Sequence, residues 1–145
     1  MSQQPESDPQ SAGHLKSKGG LGRIFKAVKY AMRGLAAAWK HEHAFRQELL
    51  LVLIFLPAAV LLPVSALERL LLICLLTLII IVELINSAIE AIVDKASPEM
   101  NELAGRSKDL ASAAVFVVIC LNLVAWFVIS GPILWQMFRV GKSAF

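Results

Sequence analysis

Residues 70–82 are apolar except for Thr77, and the helix they begin then takes on acid in the run Glu83-Leu-Ile-Asn-Ser-Ala-Ile-Glu-Ala-Ile-Val-Asp94. At about 100° per residue, Glu83, Asn86, Ser87, Glu90 and Asp94 fall within an arc of roughly 100°. Leu84, Ile85, Ala88, Ile89 and Ile92 take the rest of the circumference. An ionisable side chain in the middle of a membrane helix costs roughly 3 kcal/mol or more, and such groups face a bundle interior or a watery cavity where they act. Asn86 and Ser87 alone could be interhelical hydrogen-bonding glue. Two carboxylates seven residues apart on one stripe go beyond glue, because each charge opposes the other, and the stripe is the candidate site.

The membrane assignment follows from composition. The chain has 145 residues, 57% of them hydrophobic, and a mean hydropathy of +0.67. That apolar surplus exceeds what a soluble core of this size could hide. The net charge of +3 lies outside the apolar runs, as membrane-surface and topology signals do. No nucleic-acid-binding motif is present, so nucleic acid is not an expected partner. Cys74 and Cys120 each lie inside an apolar run with no Cys or His at a metal-ligand spacing, and are read as lipid-facing or packing residues.

Residues 1–22 are rich in Gln, Ser, Pro and Gly and lack the apolar core of a secretory signal; they are expected to be a disordered tail. From Arg23 the pattern is helical. Ile24, Phe25, Val28, Met32, Leu35 and Trp39 share one face, with Lys26, Lys29, Arg33 and Lys40 opposite, which predicts an amphipathic helix on the membrane surface over about residues 23–47. His41-Glu42-His43 does not match the His-Glu-x-x-His zinc pattern. Spans are expected at about 49–64, 70–93 and 110–138, followed by a tail from 139 to 145. The first covers only ~24 Å, so flanking residues must help complete it. Residues 94–109, charged and containing Pro98 and Gly105, predict a loop or a broken helix. Asn122, inside the third span, is expected to hydrogen-bond between helices. Eight Lys/Arg precede the first span and three lie between the second and third, against one in the short connection near Arg69 and two in the tail. The positive-inside rule then puts the amino terminus and the second loop in the cytoplasm. Glu90 falls near the water boundary and Glu83 about 10 Å deeper.

A deep acid and a boundary acid, beside a cytoplasmic loop carrying Arg106, Lys108 and Asp109, suit the joining of a water-soluble reactant to a lipid. Phosphoryl transfer is one such reaction. It needs divalent metal, cations for the phosphates and a carboxylate to take a proton. The soluble nucleotide motifs are absent, since Gly141-Lys142-Ser143 has Gln136 where the first glycine of a P-loop would stand. On the residues alone a proton-coupled transporter or channel subunit remains a competing reading.

Three blocks carry a resemblance that goes further: residues 83–94 as quoted above, Leu103-Ala-Gly-Arg-Ser-Lys-Asp-Leu-Ala-Ser-Ala-Ala-Val115, and Glu42-His-Ala-Phe-Arg-Gln-Glu48. Together they resemble the small membrane-integral diacylglycerol kinases of bacteria, a family that includes undecaprenol kinases, over a stretch from about Arg23 to beyond Val115. The resemblance implies an all-α membrane protein with three transmembrane helices and an N-terminal amphipathic surface helix. It implies a homotrimeric bundle in the bacterial inner membrane, with active sites shared between protomers. The activity implied is phosphorylation of diacylglycerol to phosphatidic acid, with Mg2+ as cofactor and ATP as co-substrate.

Carried over by position, Glu83 matches the catalytic base, and Glu42 and Glu90 match the metal-holding carboxylates that also contact the nucleotide. Asn86 and Asp94 match supporting polar residues. Arg23, Tyr30, Lys108 and Asp109 match nucleotide contacts, as does the Glu99-Met100-Asn101 segment more loosely. Arg23, Trp39, Phe45, Arg46, Glu48, Glu83 and Ser112 match the lipid site. The sequence departs from the family pattern at Met32, Met100, Asn101 and Ala111. The Phe45-Arg-Gln-Glu48 block has the diacylglycerol-kinase form, which favours that lipid over undecaprenol.

Overall fold

The computed structural model of the chain describes residues 21–97, 99 and 101–143. The expected tail, up to Gly20, lies outside the described residues, as does Met100. All regular structure among the described residues is helical: α1 (Leu21–His41), α2 (His43–Leu61), α3 (Ala66–Ala96) and α4 (Glu102–Ser143). Three of these, at His43–Leu61, Ala66–Ala96 and Glu102–Gln136, are long and apolar enough to cross a membrane.

The chain divides into two compact units, one up to Ala37 and one from Ala38 onward. In the first unit, α1 contains no acidic residue. Ile24, Phe25, Val28 and Met32 are all exposed along one side of it, with Lys26, Lys29 and Arg33 on the other by helical periodicity.

In the second unit, each helix end has a local cause. Pro63 drives the residue before it out of helical backbone, and Leu62 is extended at φ −60°, ψ 138°. This ends α2 at Leu61, short of the expected residue 64. The missing length is recovered at the other end, where the helix starts at His43, giving a span of ~28 Å. Pro57 is accommodated inside α2. A capping box opens α3: Ser65 Oγ accepts the Glu68 N–H at 3.3 Å, and the Glu68 carboxylate accepts the Ser65 N–H at 2.8 Å. Arg69 Nη2 donates to Leu62 O at 3.1 Å and ties the connection to the start of α3.

The charged segment after Asp94 is shorter as a connection than its Pro and Gly suggest. Helix α3 runs on to Ala96 and α4 begins at Glu102. Asn101 initiates α4, its Oδ1 accepting the Ala104 N–H at 2.9 Å. Gly105 lies inside the helix, with open space where a Cβ would stand.

Helix α3 is the centre of this unit and packs on both α2 and α4. Its buried residues Leu72, Leu75, Leu76, Ile79, Glu83 and Asn86 recur at three- and four-residue steps along one stripe. The facing stripe of α4 is Ala104, Ala111, Val118 and Asn122. Of the small residues 111–114 only Ala111 enters this seam; Ser112, Ala113 and Ala114 are exposed. Asn122 Nδ2 donates to Leu75 O at 2.9 Å, which supplies the interhelical hydrogen bond expected of it, and to Val118 O of its own helix at 3.1 Å. Phe55 and Trp126 add an edge-to-face contact between α2 and α4, with centroids 5.0 Å apart.

Hydrocarbon tails are as apolar as leucine, so helices in a bilayer are held by close fit and polar contacts rather than by escape from water. Small residues in the seam therefore set the approach of α4 to α3. Ala111→Leu should lower stability by about 1–3 kcal/mol through overpacking. Thermal unfolding in mild detergent checks this, and an unchanged midpoint would show that the seam does not depend on the small side chain.

Candidate active site

The polar residues of α3 are graded in burial along one face. Glu83 is 2% exposed and Asn86 8%; Ser87 and Glu90 are half-buried, and Asp94 is exposed. The four- and three-residue steps of the helix bring one amide between two carboxylates. Asn86 Nδ2 lies 3.5 Å from Glu83 Oε2 and 3.3 Å from Glu90 Oε1. The two N–H groups of this amide nitrogen thus reach one carboxylate each, and both contacts are longer than the 2.7–2.9 Å typical of a charge-assisted hydrogen bond.

Two further carboxylates complete the acidic region. Glu42, at the break between α1 and α2, and Glu90 both act electrostatically on Glu83. Glu48, one turn into α2, is coupled to Glu83 in the same way. Glu48 is 7% exposed, and its Oε2 has no hydrogen-bond partner. Asn86 Oδ1 and Ser87 Oγ are likewise buried without a partner. Among the described residues none of these four glutamates forms an ion pair. The single ion pair found there joins Lys108 Nζ to Asp94 Oδ1 at 2.9 Å, and Lys108 also feels the charge of Glu90.

Negative charge is thus concentrated on the inner face of α3 and the start of α2, with the Lys108–Asp94 pair toward the end of α3. Among the described residues no three His, Cys, Asp or Glu side chains are grouped closely enough to hold a metal by themselves. Pairs of carboxylates are present. A hard cation such as Mg2+ is commonly held by one or two carboxylates, with waters and substrate phosphates completing its shell. An all-oxygen donor set with unpaired negative charge fits that chemistry, with Glu42 and Glu90 as the candidate ligands.

The other expected site residues are distributed as follows. Arg23 and Tyr30 are exposed on α1, in the first unit. Trp39 is exposed, and its carbonyl accepts from Arg46 Nη1 at 2.7 Å. Phe45 is packed in the core at 2% exposure. Glu99 is exposed and its carbonyl accepts the Ser97 hydroxyl at 2.9 Å. The side chain of Asn101 is committed to structure, since besides capping α4 it donates from Nδ2 to Ser97 Oγ at 3.0 Å. Asp109 and Ser112 are exposed on α4.

Glu48 lines an open-sided pocket of about 120 Å3 between the three spans, whose other walls are carbon-rich and include Leu51, Phe55, Leu76, Ile79 and Trp126. Sequence reasoning identified Glu48 but not its apolar neighbours. They come from three separate apolar runs, where nothing in spacing or composition marks a cavity-lining leucine apart from a lipid-facing one.

Residues 29–130 match the family model described as prokaryotic diacylglycerol kinase. The chain is 46% identical over 119 residues to the diacylglycerol kinase of Escherichia coli strain K12, covering 82% of this chain and 94% of the relative. It is 46% identical over 116 residues to that of Pseudomonas aeruginosa, covering 80% and 94%. The diacylglycerol kinase of Helicobacter pylori strain 26695 is 41% identical over 119 residues, covering 82% and 90%.

The bridging amide and the outer ion pair should differ sharply in their effect on stability. Asn86→Leu keeps the volume but removes the amide N–H groups that face the buried Glu83 and the half-buried Glu90, a loss of about 1–3 kcal/mol. Asp94→Asn breaks a pair whose partners are 30% and 61% exposed, and should shift the unfolding midpoint much less, as solvent-screened pairs do. Unfolding midpoints of the two variants in one detergent compare them, and equal shifts would contradict the burial gradient.

Proposed function

This chain belongs to the prokaryotic diacylglycerol kinase family, and we propose that it transfers the γ-phosphoryl group of ATP directly to the free hydroxyl of diacylglycerol, giving phosphatidic acid and ADP. The observation that carries this reading is Glu83, a carboxylate buried within an apolar membrane helix and joined through Asn86 to a second carboxylate nearer the helix end.

In this reaction the lipid O–H bond breaks as its oxygen forms a bond to the γ-phosphorus, while the bond from that phosphorus to the β-phosphate bridging oxygen breaks. Glu83 takes the hydroxyl proton, a role that suits its depth, because a lipid alcohol sits at the headgroup level and a nucleotide does not. Asn86 orients Glu83 and Glu90 together through its one amide nitrogen. Glu42 and Glu90 would hold Mg2+, which when bound neutralises the charge of the phosphates. Lys108 supplies positive charge beside Glu90 for the nucleotide, with Arg23, Tyr30, Glu99, Met100 and Asp109 as further contacts. Asn101 contributes by shaping the turn before α4, its side chain being occupied there. Glu48, Trp39, Phe45 and Ser112 are assigned to the lipid side. The apolar cavity beside Glu48 suits hydrocarbon next to a carboxylate.

The protein is a multi-pass bacterial membrane protein, as its three apolar helices and its relatives indicate. The inner membrane and a cytoplasmic amino terminus are proposed from the distribution of Lys and Arg. A homotrimer with sites shared between protomers is proposed on the same family basis.

Purified protein should transfer label from γ-labelled ATP to diacylglycerol in mixed micelles. Labelling of undecaprenol in preference would reassign the substrate, and no labelled lipid of either kind would end the kinase reading. Glu90→Gln, which keeps the volume but removes the charge a hard cation needs, should abolish turnover and the response to Mg2+ while leaving the protein folded. Mixing Glu42→Gln with Glu90→Gln protomers should restore part of the activity if one site draws on two chains. Complete inactivity of the mixture would place both carboxylates of a site in one chain.

A further inference from the structure

We propose that Arg46 is a positioning residue that holds Glu42 at the helix break, an inference that rests on reading Glu42 as a metal-holding carboxylate. The residues around position 42, Trp39-Lys-His-Glu-His-Ala-Phe-Arg46, include neither Gly nor Pro, and their periodicity predicts one helix running through them. The helix breaks there nonetheless. Glu42 is extended at φ −104°, ψ 115°, its N–H closes α1 on Ala38 O at 2.9 Å, and α2 starts at the next residue.

In an unbroken helix Trp39 O would accept the N–H of His43, and Lys40 O that of Ala44. The break removes both donors and leaves two carbonyls at the end of α1 to be satisfied from elsewhere. Arg46 takes their place. Its Nη1 lies 2.7 Å from Trp39 O and 3.4 Å from Lys40 O, so a side chain from the first turn of α2 caps the last turn of α1. A cation is also the favoured charge at a helix carboxyl end.

The clamp spans residue 42 from both sides, with Trp39 and Lys40 before it and Arg46 after it. Glu42 itself makes no capping hydrogen bond to α2 with its side chain, so its carboxylate is left for another partner while its backbone is pinned. It is one of the two carboxylates that act most on Glu83. A helix continued through position 42 would turn that carboxylate to a different bearing. By this argument the guanidinium of Arg46 serves the acidic site through backbone geometry, and the resemblance-based assignment of Arg46 to lipid contact describes a different role. The two roles are separable by measurement.

The test is Mn2+ binding followed by electron paramagnetic resonance on the full chain in detergent with a non-hydrolysable ATP analogue, so that no turnover is needed. Arg46→Gln should weaken Mn2+ binding about tenfold or more, as loss of a supporting partner does at metal sites. Arg46→Lys keeps the charge and one carbonyl contact, and should recover part of the affinity. In the kinetics, the Mg2+ requirement should rise with little change in KM for lipid. Wild-type Mn2+ affinity in Arg46→Gln together with a raised lipid KM would overturn the inference and make Arg46 a lipid contact. If Arg46→Gln fails to fold, Arg46→Lys decides: intermediate Mn2+ affinity supports the clamp, and wild-type affinity overturns it. Glu42→Gln separates this inference from its premise. Unchanged Mn2+ affinity in Glu42→Gln would sink the metal role, whereas weakened binding there with unchanged binding in Arg46→Gln would sink the clamp alone.

Discussion

Everything about this chain is arranged around the cost of negative charge in an apolar helix. Glu83 is sealed to 2% exposure by the packing of α3, and a carboxylate taken out of water in this way carries a desolvation cost. Such a group persists in a membrane helix when something offsets the cost or when the chemistry requires it. The offset visible in the protein itself is small: one shared amide from Asn86 at 3.5 Å. Glu42, Glu48 and Glu90 add charge of the same sign rather than relieve it. The proposed reaction supplies what this face lacks, since a cation and a nucleotide held there would offset the clustered negative charge.

The remaining structure supplies rigidity to that face. Because burial against lipid brings little driving force, α3 depends on a close seam with α4 and on polar clasps at both ends. Ala104 and Ala111 let α4 approach, Asn122 bonds across to Leu75 O, and the Ser65–Glu68 box and the Lys108–Asp94 pair fix the two ends of α3. The acidic residues lie between these clasps. Preorganisation of this kind lets a polar site meet its substrate without reorganising around it.

Much of this was legible in the sequence, because helical period and hydropathy carry through unchanged when a chain is nearly all helix. The three spans and the common face of Glu83, Asn86 and Glu90 follow from counting residues at 100° each. What could not be read depends on side chains that reach across sequence. The break at Glu42 has no Gly or Pro to announce it, since it is satisfied by Arg46 from a turn away. Helix α4 begins at Glu102, despite Pro98 and Gly105 nearby, because Asn101 caps it, an arrangement that looks like an ordinary loop asparagine until Ala104 N–H is seen to meet it. The cavity beside Glu48 is assembled from leucine, phenylalanine and tryptophan whose neighbours in sequence face lipid.

The central claim is that the buried carboxylate of Glu83 takes the proton from the lipid hydroxyl, and a base acts only in the chemical step. Steady-state kinetics of Glu83→Gln, on the same preparation used for thermal unfolding, measures this most directly. The account expects kcat to fall by about 10² to 10⁴, with KM for Mg-ATP and for lipid little changed and the unfolding midpoint retained. Normal kcat per folded molecule, with or without a loss of stability, would contradict it and reduce Glu83 to a packing residue.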